Sequence, residues 1–153
     1  MKKSCINRLS CTLPALSQNE GVARSLVSAF LALPDPTIEE LADIRCAVSE
    51  AVTNAVVHAY RGEGGDIYIS VKLYDDRTVR IEVRDRGVGI ADIEEAKKPL
   101  FTTDHSGERS GMGFAVMQSF TDSVKVSSRP GQGTRVVLTK VLSASEETQG
   151  ERG

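Results

Sequence analysis

Residues 49–60 read SEAVTNAVVHAY, a run of alanine and valine interrupted at regular intervals by polar side chains. Glu50, Asn54 and His58 are each four positions apart, so on a helix they share a stripe about 80° wide. The stripe has two interpretations. Its groups are solvated or make ordinary hydrogen bonds, or they face a polar cavity that holds a ligand. In the second case Glu50 suits a general base, and Asn54 suits an oxygen ligand of Mg²⁺.

The composition is that of an ordinary globular domain. The chain has 153 residues, of which 40% are hydrophobic and 26% charged, enough for one domain with a hydrophobic core. A formal net charge of −2 gives no electrostatic reason to expect nucleic acid or an anionic membrane as a partner. No apolar run approaches the roughly 20 residues that span a bilayer, and no apolar stretch follows the N-terminal lysines. We therefore expect a cytoplasmic protein without a signal peptide.

Cysteine and histidine are too sparse to indicate a metal centre. The cysteines are Cys5, Cys11 and Cys46, with no CxxC pair, and only His58 and His105 could join them. We expect reduced, partly buried thiols rather than a zinc site.

Two helices are predicted in the first part of the chain. Ser17 and Glu20 have the spacing of a capping box and open a helix that Pro34 ends. Thr37 and Glu40 have the same spacing. The helix that they open should continue through the polar stripe until the glycine-rich RGEGG begins at position 61.

The hydrophobic period then changes from 3.6 residues to two. Alternation over residues 67–74 and 79–84 predicts a hairpin, and SVKVSS and TRVVLTKVL around the turn RPGQG predict another. A further strand candidate, INRLSCTLP, precedes the first helix. Helices followed by hairpins, without regular βαβ alternation, predict an α+β fold with a largely antiparallel sheet and helices on one face.

The rest of the chain divides into a connection and a tail. Short helices are predicted near residues 92–98 and after Gly113, with a loop lacking apolar periodicity over residues 99–111. We expect one domain over residues 1–142 and a disordered polar tail over residues 143–153.

Two glycine motifs follow the polar stripe. DRGVGI comes directly after a predicted strand and contains Asp85, Gly87 and Gly89. SGMGF contains Gly111 and Gly113 before a predicted helix, where backbone N–H groups and the helix dipole can approach phosphate. Each motif alone is commonly just a turn, and neither is a P-loop.

The order of these features resembles that of the GHKL ATPase superfamily, which includes gyrase, Hsp90, histidine kinases and MutL. The resemblance covers roughly residues 49–138: E-x-x-x-N-x-x-x-H, then D-x-G-x-G, G-x-G-F and a final G-T at Gly133 and Thr134. It implies a single-domain α/β two-layer sandwich of GHKL (Bergerat) type. Such a sandwich has a mixed, largely antiparallel sheet, helices on one face, and an ATP lid over residues 99–110.

The resemblance also implies an ATP site with Mg²⁺. In it Asp85 would accept the adenine amino group, Asn54 would ligate the Mg²⁺ that bridges the phosphates, and Glu50 would be the catalytic base. The remaining ATP-binding positions implied are His58, Gly87, Gly89, Thr102, Thr103, Arg109, Gly111, Met112, Gly113 and Thr134. Arg109 would reach the terminal phosphate, although an ordinary solvated arginine is an equal alternative. His58 would contact phosphate or only make hydrogen bonds within the pocket.

Within the superfamily the chain looks like the anti-sigma factor serine kinases, and in particular their sporulation branch. It carries PLFTT and ERSGMGF, and it has Glu50 where histidine kinases commonly have a second asparagine. The resemblance implies an ATP-dependent protein serine/threonine kinase that inhibits a sporulation sigma factor, sigma F. The kinase would also phosphorylate a serine of an anti-anti-sigma protein.

Other features of the resemblance concern protein contacts. It implies a homodimer joined through the N-terminal strand and a partner contact at Arg24, for which a solvated surface arginine is an equal alternative. Three rival functions remain: a sigma-sequestering module without kinase activity, a stress-response kinase of the anti-sigma B type, and a detached histidine kinase domain acting in trans.

Overall fold

The computed structural model describes residues 2–97 and 113–144. Over these residues the α+β prediction is confirmed. The strands are β1 (Cys5–Pro14), β2 (Asp66–Tyr74), β3 (Thr78–Arg84), β4 (Ser123–Arg129) and β5 (Gly133–Val141). The helices are α1 (Asn19–Leu31), α2 (Ile38–Thr53), α3 (Ile93–Lys97) and α4 (Phe114–Phe120), and a π-helical turn (Asn54–Ala59) continues α2.

The sheet has the strand order β1-β2-β3-β5-β4, and each described pairing is antiparallel. The sequence left room for a mixed sheet, but both predicted hairpins and the β3–β5 pairing run antiparallel. Every second residue of β2 and β3 is buried, which gives the sheet one apolar face. Helix α2 lies on that face and packs against α1 on one side and α4 on the other.

The core explains why α2 is apolar nearly all round. Its buried positions are Ile44, Ala47, Val48, Ala51 and Val52. They meet the buried face of the sheet and the buried residues of α1 and α4, so α2 is the central helix of its layer. Among the described residues no helix combines the length and apolarity required to cross a membrane.

The two predicted helix starts have different outcomes. The capping box at Thr37 is confirmed: Glu40 N–H donates to Thr37 Oγ1 (3.0 Å), and Thr37 N–H donates to Glu40 Oε1 (2.9 Å). The capping box at Ser17 is wrong, because α1 has Gln18 at its N-cap and no side-chain cap bond. The Glu20 carboxylate instead lies 3.6 Å from Nε of Arg24, one turn along the helix.

The chain still contacts the domain at the first residue of the expected tail. Ser143 N–H donates to Glu40 Oε2 (2.8 Å), and the Ser143 carbonyl accepts from Arg77 Nε (2.7 Å). Residues 145–153 lie outside the described part of the chain, so the disordered tail stays a prediction.

Candidate functional site

A pocket lies between the C-terminal end of the α2 helix and strands β3 and β5. Four of the polar residues predicted from sequence line it together with Gly89: Asn54, His58, Asp85 and Thr134. The other lining residues are apolar: Ala51, Ala59, Val83, Ile90, Phe114 and Val136. Apolar walls with a few convergent polar groups are typical of a small-molecule site.

Asp85 is the most deeply buried acid of this pocket, with 7% of its surface exposed. Its Oδ1 accepts hydrogen bonds from the backbone N–H of Gly87 (2.9 Å) and of Thr134 (3.2 Å). Burial raises the pKa of the Asp85 carboxyl above its ordinary value, and the two backbone bonds partly oppose that rise. Since both bonds end on Oδ1, neither occupies Oδ2, the second acceptor oxygen.

The hydrogen bonds of Ser128 determine whether the Thr134 hydroxyl donates or accepts in the contact between the two. Ser128 Oγ donates its single proton to the Gly133 carbonyl (2.8 Å) and accepts from Ile90 N–H (2.8 Å). The 2.8 Å contact between the Ser128 and Thr134 hydroxyls therefore has Thr134 as donor. As the donor to Ser128, the Thr134 hydroxyl keeps its capacity to accept a hydrogen bond, and Thr134 lines the pocket beside Asp85.

The DRGVGI loop needs its glycines because it packs tightly on two neighbours. A Cβ on Gly87 would collide with the carbonyl oxygen of Ala59, and one on Gly89 with that of Arg129. Hydrogen bonds fix the same contacts, since Val88 N–H donates to Ala59 O (3.0 Å). The loop is thereby held between the end of the helix and the β4–β5 turn, and it closes the pocket.

The π-helical turn brings two members of the polar stripe to the same pocket. In an α-helix, side chains four positions apart point in directions that differ by about 40° around the helix axis. The wider i→i+5 turn makes this angle smaller, so Asn54 and His58 face the same pocket. Burial lowers the pKa of His58 below its ordinary value, which favours a neutral imidazole at pH 7.

Glu50 is directed differently from the other two members of the stripe. It lines a separate groove with Arg24, Arg45, Ser49 and the aromatic Phe120. Its carboxylate also packs against Gly113, where an added Cβ would collide with Oε2 of Glu50. Glu50 thus lies one helical turn before Asn54 and lines the groove that carries Arg24.

Five of the predicted site residues fall within residues 98–112, outside the described part of the chain: Thr102, Thr103, Arg109, Gly111 and Met112. The expected lid, residues 99–110, lies in the same segment. Their roles stay predictions.

Three supporting residues were not identified from the sequence. Ser128, which orients Thr134, stands in an ordinary alternating strand. Tyr60 joins two segments through its hydroxyl, which donates to Asp66 O (2.6 Å) and accepts from Arg86 N–H (2.8 Å). Phe114, the last residue of the quoted SGMGF, is a buried pocket wall. Aromatic residues placed next to glycine motifs were the available signal for the last two.

The described residues contain no cluster of three or more His, Cys, Asp or Glu that could hold a metal ion. The Asn54 amide oxygen is a suitable ligand for a hard cation. Mg²⁺ commonly binds through one or two protein oxygens together with substrate phosphates and water. The residues present therefore fit a magnesium ion that arrives with a nucleotide.

Comparisons with known proteins identify the family of the chain. The profile of the histidine kinase-like ATPase domain family matches residues 13–140. An anti-sigma F factor of Bacillus licheniformis is 52% identical over 141 residues, which are 92% of this chain and 96% of the relative. The anti-sigma F factor of Bacillus subtilis (strain 168) is 50% identical over the same shares, and that of Pasteuria penetrans is 52% identical over 91% and 93%.

Solved structures show the same fold. The structure of the RsbU and RsbW domains of Rv1364c from Mycobacterium tuberculosis has a TM-score of 0.67 and 27% identity. The match covers 91% of this chain but 33% of the mycobacterial one, so it concerns about a third of that protein. The catalytic domain of the histidine kinase ThkA, at 17% identity and a TM-score of 0.52 over 90% and 97% of the two chains, supports the fold alone. The chain belongs to the family of histidine kinase-like ATPase domains and, within it, to the group of anti-sigma F factors.

Proposed function

We propose that this protein is an ATP-dependent protein serine kinase that binds and inhibits a sporulation sigma factor, sigma F. It would transfer the γ-phosphate of ATP to a serine of an anti-anti-sigma protein, and bound nucleotide would decide which partner is held. The observation that carries the proposal is the convergence of Asn54, Asp85 and Thr134 on one pocket. This pocket occurs in a chain about half identical to anti-sigma F factors over nearly their whole length. A cytoplasmic location belongs to the same proposal, because sigma factors act there.

The base-binding end of the proposed ATP site is the pocket around Asp85. Its Oδ2 would accept a hydrogen bond from the adenine amino group, and the Thr134 hydroxyl lines the same pocket. The apolar walls suit the faces of a purine, because they exclude water without leaving polar atoms unpaired. Gly87 and Gly89 allow the loop to lie close to the base.

The phosphate-binding end would lie near Asn54, at the start of the π-helical turn. Asn54 would hold Mg²⁺ through its amide oxygen, and that ion would neutralise charge on the phosphates. Gly113 begins α4, and together with Gly111, Met112, Thr102, Thr103 and Arg109 it completes the proposed phosphate contacts. His58, neutral at pH 7, would act as a hydrogen-bonding member of the pocket.

Glu50 is the proposed general base. It would take the proton of the serine hydroxyl while the serine oxygen forms its bond to the γ-phosphorus and the bond to ADP breaks. The position of Glu50 supports this role: it lines the groove that carries Arg24, and it lies one helical turn from Asn54, which lines the ATP pocket. We propose Arg24 as a partner contact on that surface.

The homodimer is part of the same proposal. Strand β1 is at the edge of the sheet, and its described pairing is with β2 on one side. An edge strand of ten residues offers backbone groups to a second copy. We therefore propose β1 as the dimer contact.

The deciding experiment uses γ-labelled ATP, the cognate anti-anti-sigma protein and sigma F. We expect acid-stable label on a serine, and sigma F retained by the protein in Mg·ATP. Retention without label would leave a sequestering module. Acid-labile label on histidine would instead identify a histidine kinase domain, and either result would overturn the kinase proposal as stated.

A further inference from the structure

A second concavity shares Asp85 and Thr134 with the lining of the ATP pocket. It has a volume of about 450 Å³, within the range of small-molecule sites. Four arginines line it: Arg84 and Arg86 at the end of β3, Arg129 at the end of β4 and Arg135 on β5. The proposed kinase reaction gives these four arginines no role.

The sheet register and one aromatic ring bring the arginines together. Arg84 is paired with Arg135 across β3 and β5, so their side chains are neighbours on the outer face of the sheet. On the other side Arg84 faces Tyr68 in β2. The guanidinium carbons of Arg84 and Arg86 lie 5.0 and 5.1 Å from the centre of the Tyr68 ring, within cation–π distance. The ring orders two cations without neutralising them.

The groove carries an excess of positive charge. Arg135 is paired with Glu82, Nε to Oε1 at 2.6 Å and Nη2 to Oε2 at 3.2 Å. For Arg84, Arg86 and Arg129 the described part of the chain offers no carboxylate within ion-pair distance. The remaining acid of the groove, Asp85, directs Oδ1 to backbone donors. Glu82 also attracts Arg84, but the four arginines still outnumber the two nearby carboxylates, Glu82 and Asp85, and an anion bound in the groove would reduce the repulsion between the arginines.

We propose that this groove binds a compact, multiply phosphorylated anion, either a free phosphate chain or one attached to a nucleoside. The guanidinium fork matches two phosphate oxygens at once, and arginines from three strands can contact successive phosphates. The Ser127 hydroxyl and the Gln132 amide at the same groove add neutral donors. The site goes beyond the proposed kinase function and does not depend on it.

The test uses the full chain and inorganic tripolyphosphate as the probe. We expect saturable binding by calorimetry, with NMR shifts of the backbone amides at residues 84–86 and 127–135. Arg84→Gln and Arg129→Gln should each weaken it about tenfold, because each removes charge-assisted hydrogen bonds from an exposed side chain. Arg80→Gln is the matched control: it removes the same charge from the same face of β3, four residues from Arg84, and should have little effect.

Two further comparisons distinguish binding in the groove from binding in the ATP pocket and identify the class of ligand. Asn54→Ala should weaken ATP binding and leave tripolyphosphate binding unchanged. Arg129→Gln should weaken tripolyphosphate binding and leave ATP binding unchanged. CTP binding more tightly than tripolyphosphate would indicate a nucleoside-attached chain, and equal binding a free one. The proposal is overturned by the absence of binding, by loss of binding in Asn54→Ala, or by an equal effect of Arg80→Gln. Tighter binding of a short DNA duplex or a glutamate oligopeptide would also overturn it.

Discussion

Gly113 lies directly against the carboxylate of Glu50, so closely that a Cβ at Gly113 would collide with Oε2 of Glu50. Gly113 also has a φ of +68°, a left-handed conformation that glycine adopts without strain. The start of α4 and the proposed catalytic base are therefore fixed against each other.

Replacing Gly113 with alanine should impair catalysis more than folding. The added methyl group must displace the Glu50 carboxylate, and a shift of about 1 Å in a catalytic group can cost on the order of 100-fold in rate. We expect Gly113→Ala to lower phosphotransfer by that order, measured as single-turnover serine phosphorylation at saturating ATP. Stability should fall by about 1–2 kcal/mol from the left-handed backbone alone.

Gly131 provides a matched control for the backbone strain. It has a φ of +77°, and a Cβ there would meet no atom within 4 Å. Gly131→Ala should therefore show a similar loss of stability in urea unfolding and near-normal phosphotransfer. Equal rate losses in the two variants would contradict a specific contact between Gly113 and Glu50.

Asp85→Asn should separate ligand binding from stability. An amide in place of the carboxylate removes the charged acceptor for the adenine amino group, worth about 1.5–3 kcal/mol, so ATP affinity should fall roughly 10- to 100-fold by calorimetry. The amide oxygen can still accept from the N–H groups of Gly87 and Thr134, and the fold should persist. Unchanged ATP affinity would exclude Asp85 as the adenine acceptor.

The pKa of Asp85 predicts how stability changes with pH. Because burial raises this pKa in the folded state, the folded protein holds the proton more tightly than the unfolded chain does. The proton on Asp85 therefore stabilises the folded state. This stabilisation is largest below the ordinary aspartate pKa and is lost as the pH rises through the pKa of the folded state. Asp85→Asn should therefore stabilise the nucleotide-free protein at pH 7, and that gain should shrink in thermal unfolding below pH 4. A gain that is the same at both pH values would show that Asp85 is not the titrating group.

Local patterns were sufficient for much of the fold. The change of hydrophobic period at residue 67 located both strands of the first hairpin, since one face of the sheet is buried and the other is not. The Thr37 capping box was readable because all its partners lie within four residues. The Ser17 box has the same spacing but failed, because Glu20 pairs with Arg24 instead. The three-residue spacing permits a capping box, but it does not determine whether the glutamate bonds to the N-cap residue or to another partner.

The candidate site was less predictable, because long-range packing shapes it. The sequence grouped Glu50 with Asn54 and His58 on one stripe, whereas the structure directs Glu50 into a different groove. Glu50 lies in the α-helical part and Asn54 and His58 lie in the π-helical turn, a change of helix type that no local signal marked. The orienting role of Ser128 depends on atoms in three separate segments and was equally invisible in the sequence.

Glu50→Gln should abolish phosphotransfer while preserving nucleotide and sigma factor binding. The amide keeps the size of the side chain but cannot accept a proton, and loss of a general base typically costs 10²- to 10⁴-fold. Quenched-flow measurement of serine phosphorylation gives the rate, and calorimetry gives ATP affinity, which should stay within about twofold because Glu50 lies outside the adenine pocket. Retention of more than a tenth of the normal rate would exclude Glu50 as the base.

Lys140 should be a stabilising link between the sheet and both helices of the site. Its Nζ donates to the Phe120 carbonyl at the end of α4 (3.1 Å) and to Asp43 Oδ2 on α2 (3.4 Å), and its side chain is 15% exposed. Lys140→Met keeps the apolar stem but leaves a half-buried carboxylate unpaired. We expect a loss of roughly 1–2 kcal/mol in urea unfolding, between the values for surface and buried pairs. Lys125→Met, at an exposed position of β4, should cost less than about 0.5 kcal/mol. If the Asp43–Lys140 pair matters, Asp43→Asn in the Lys140→Met background should cost less than it does alone, and strict additivity would contradict the pairing.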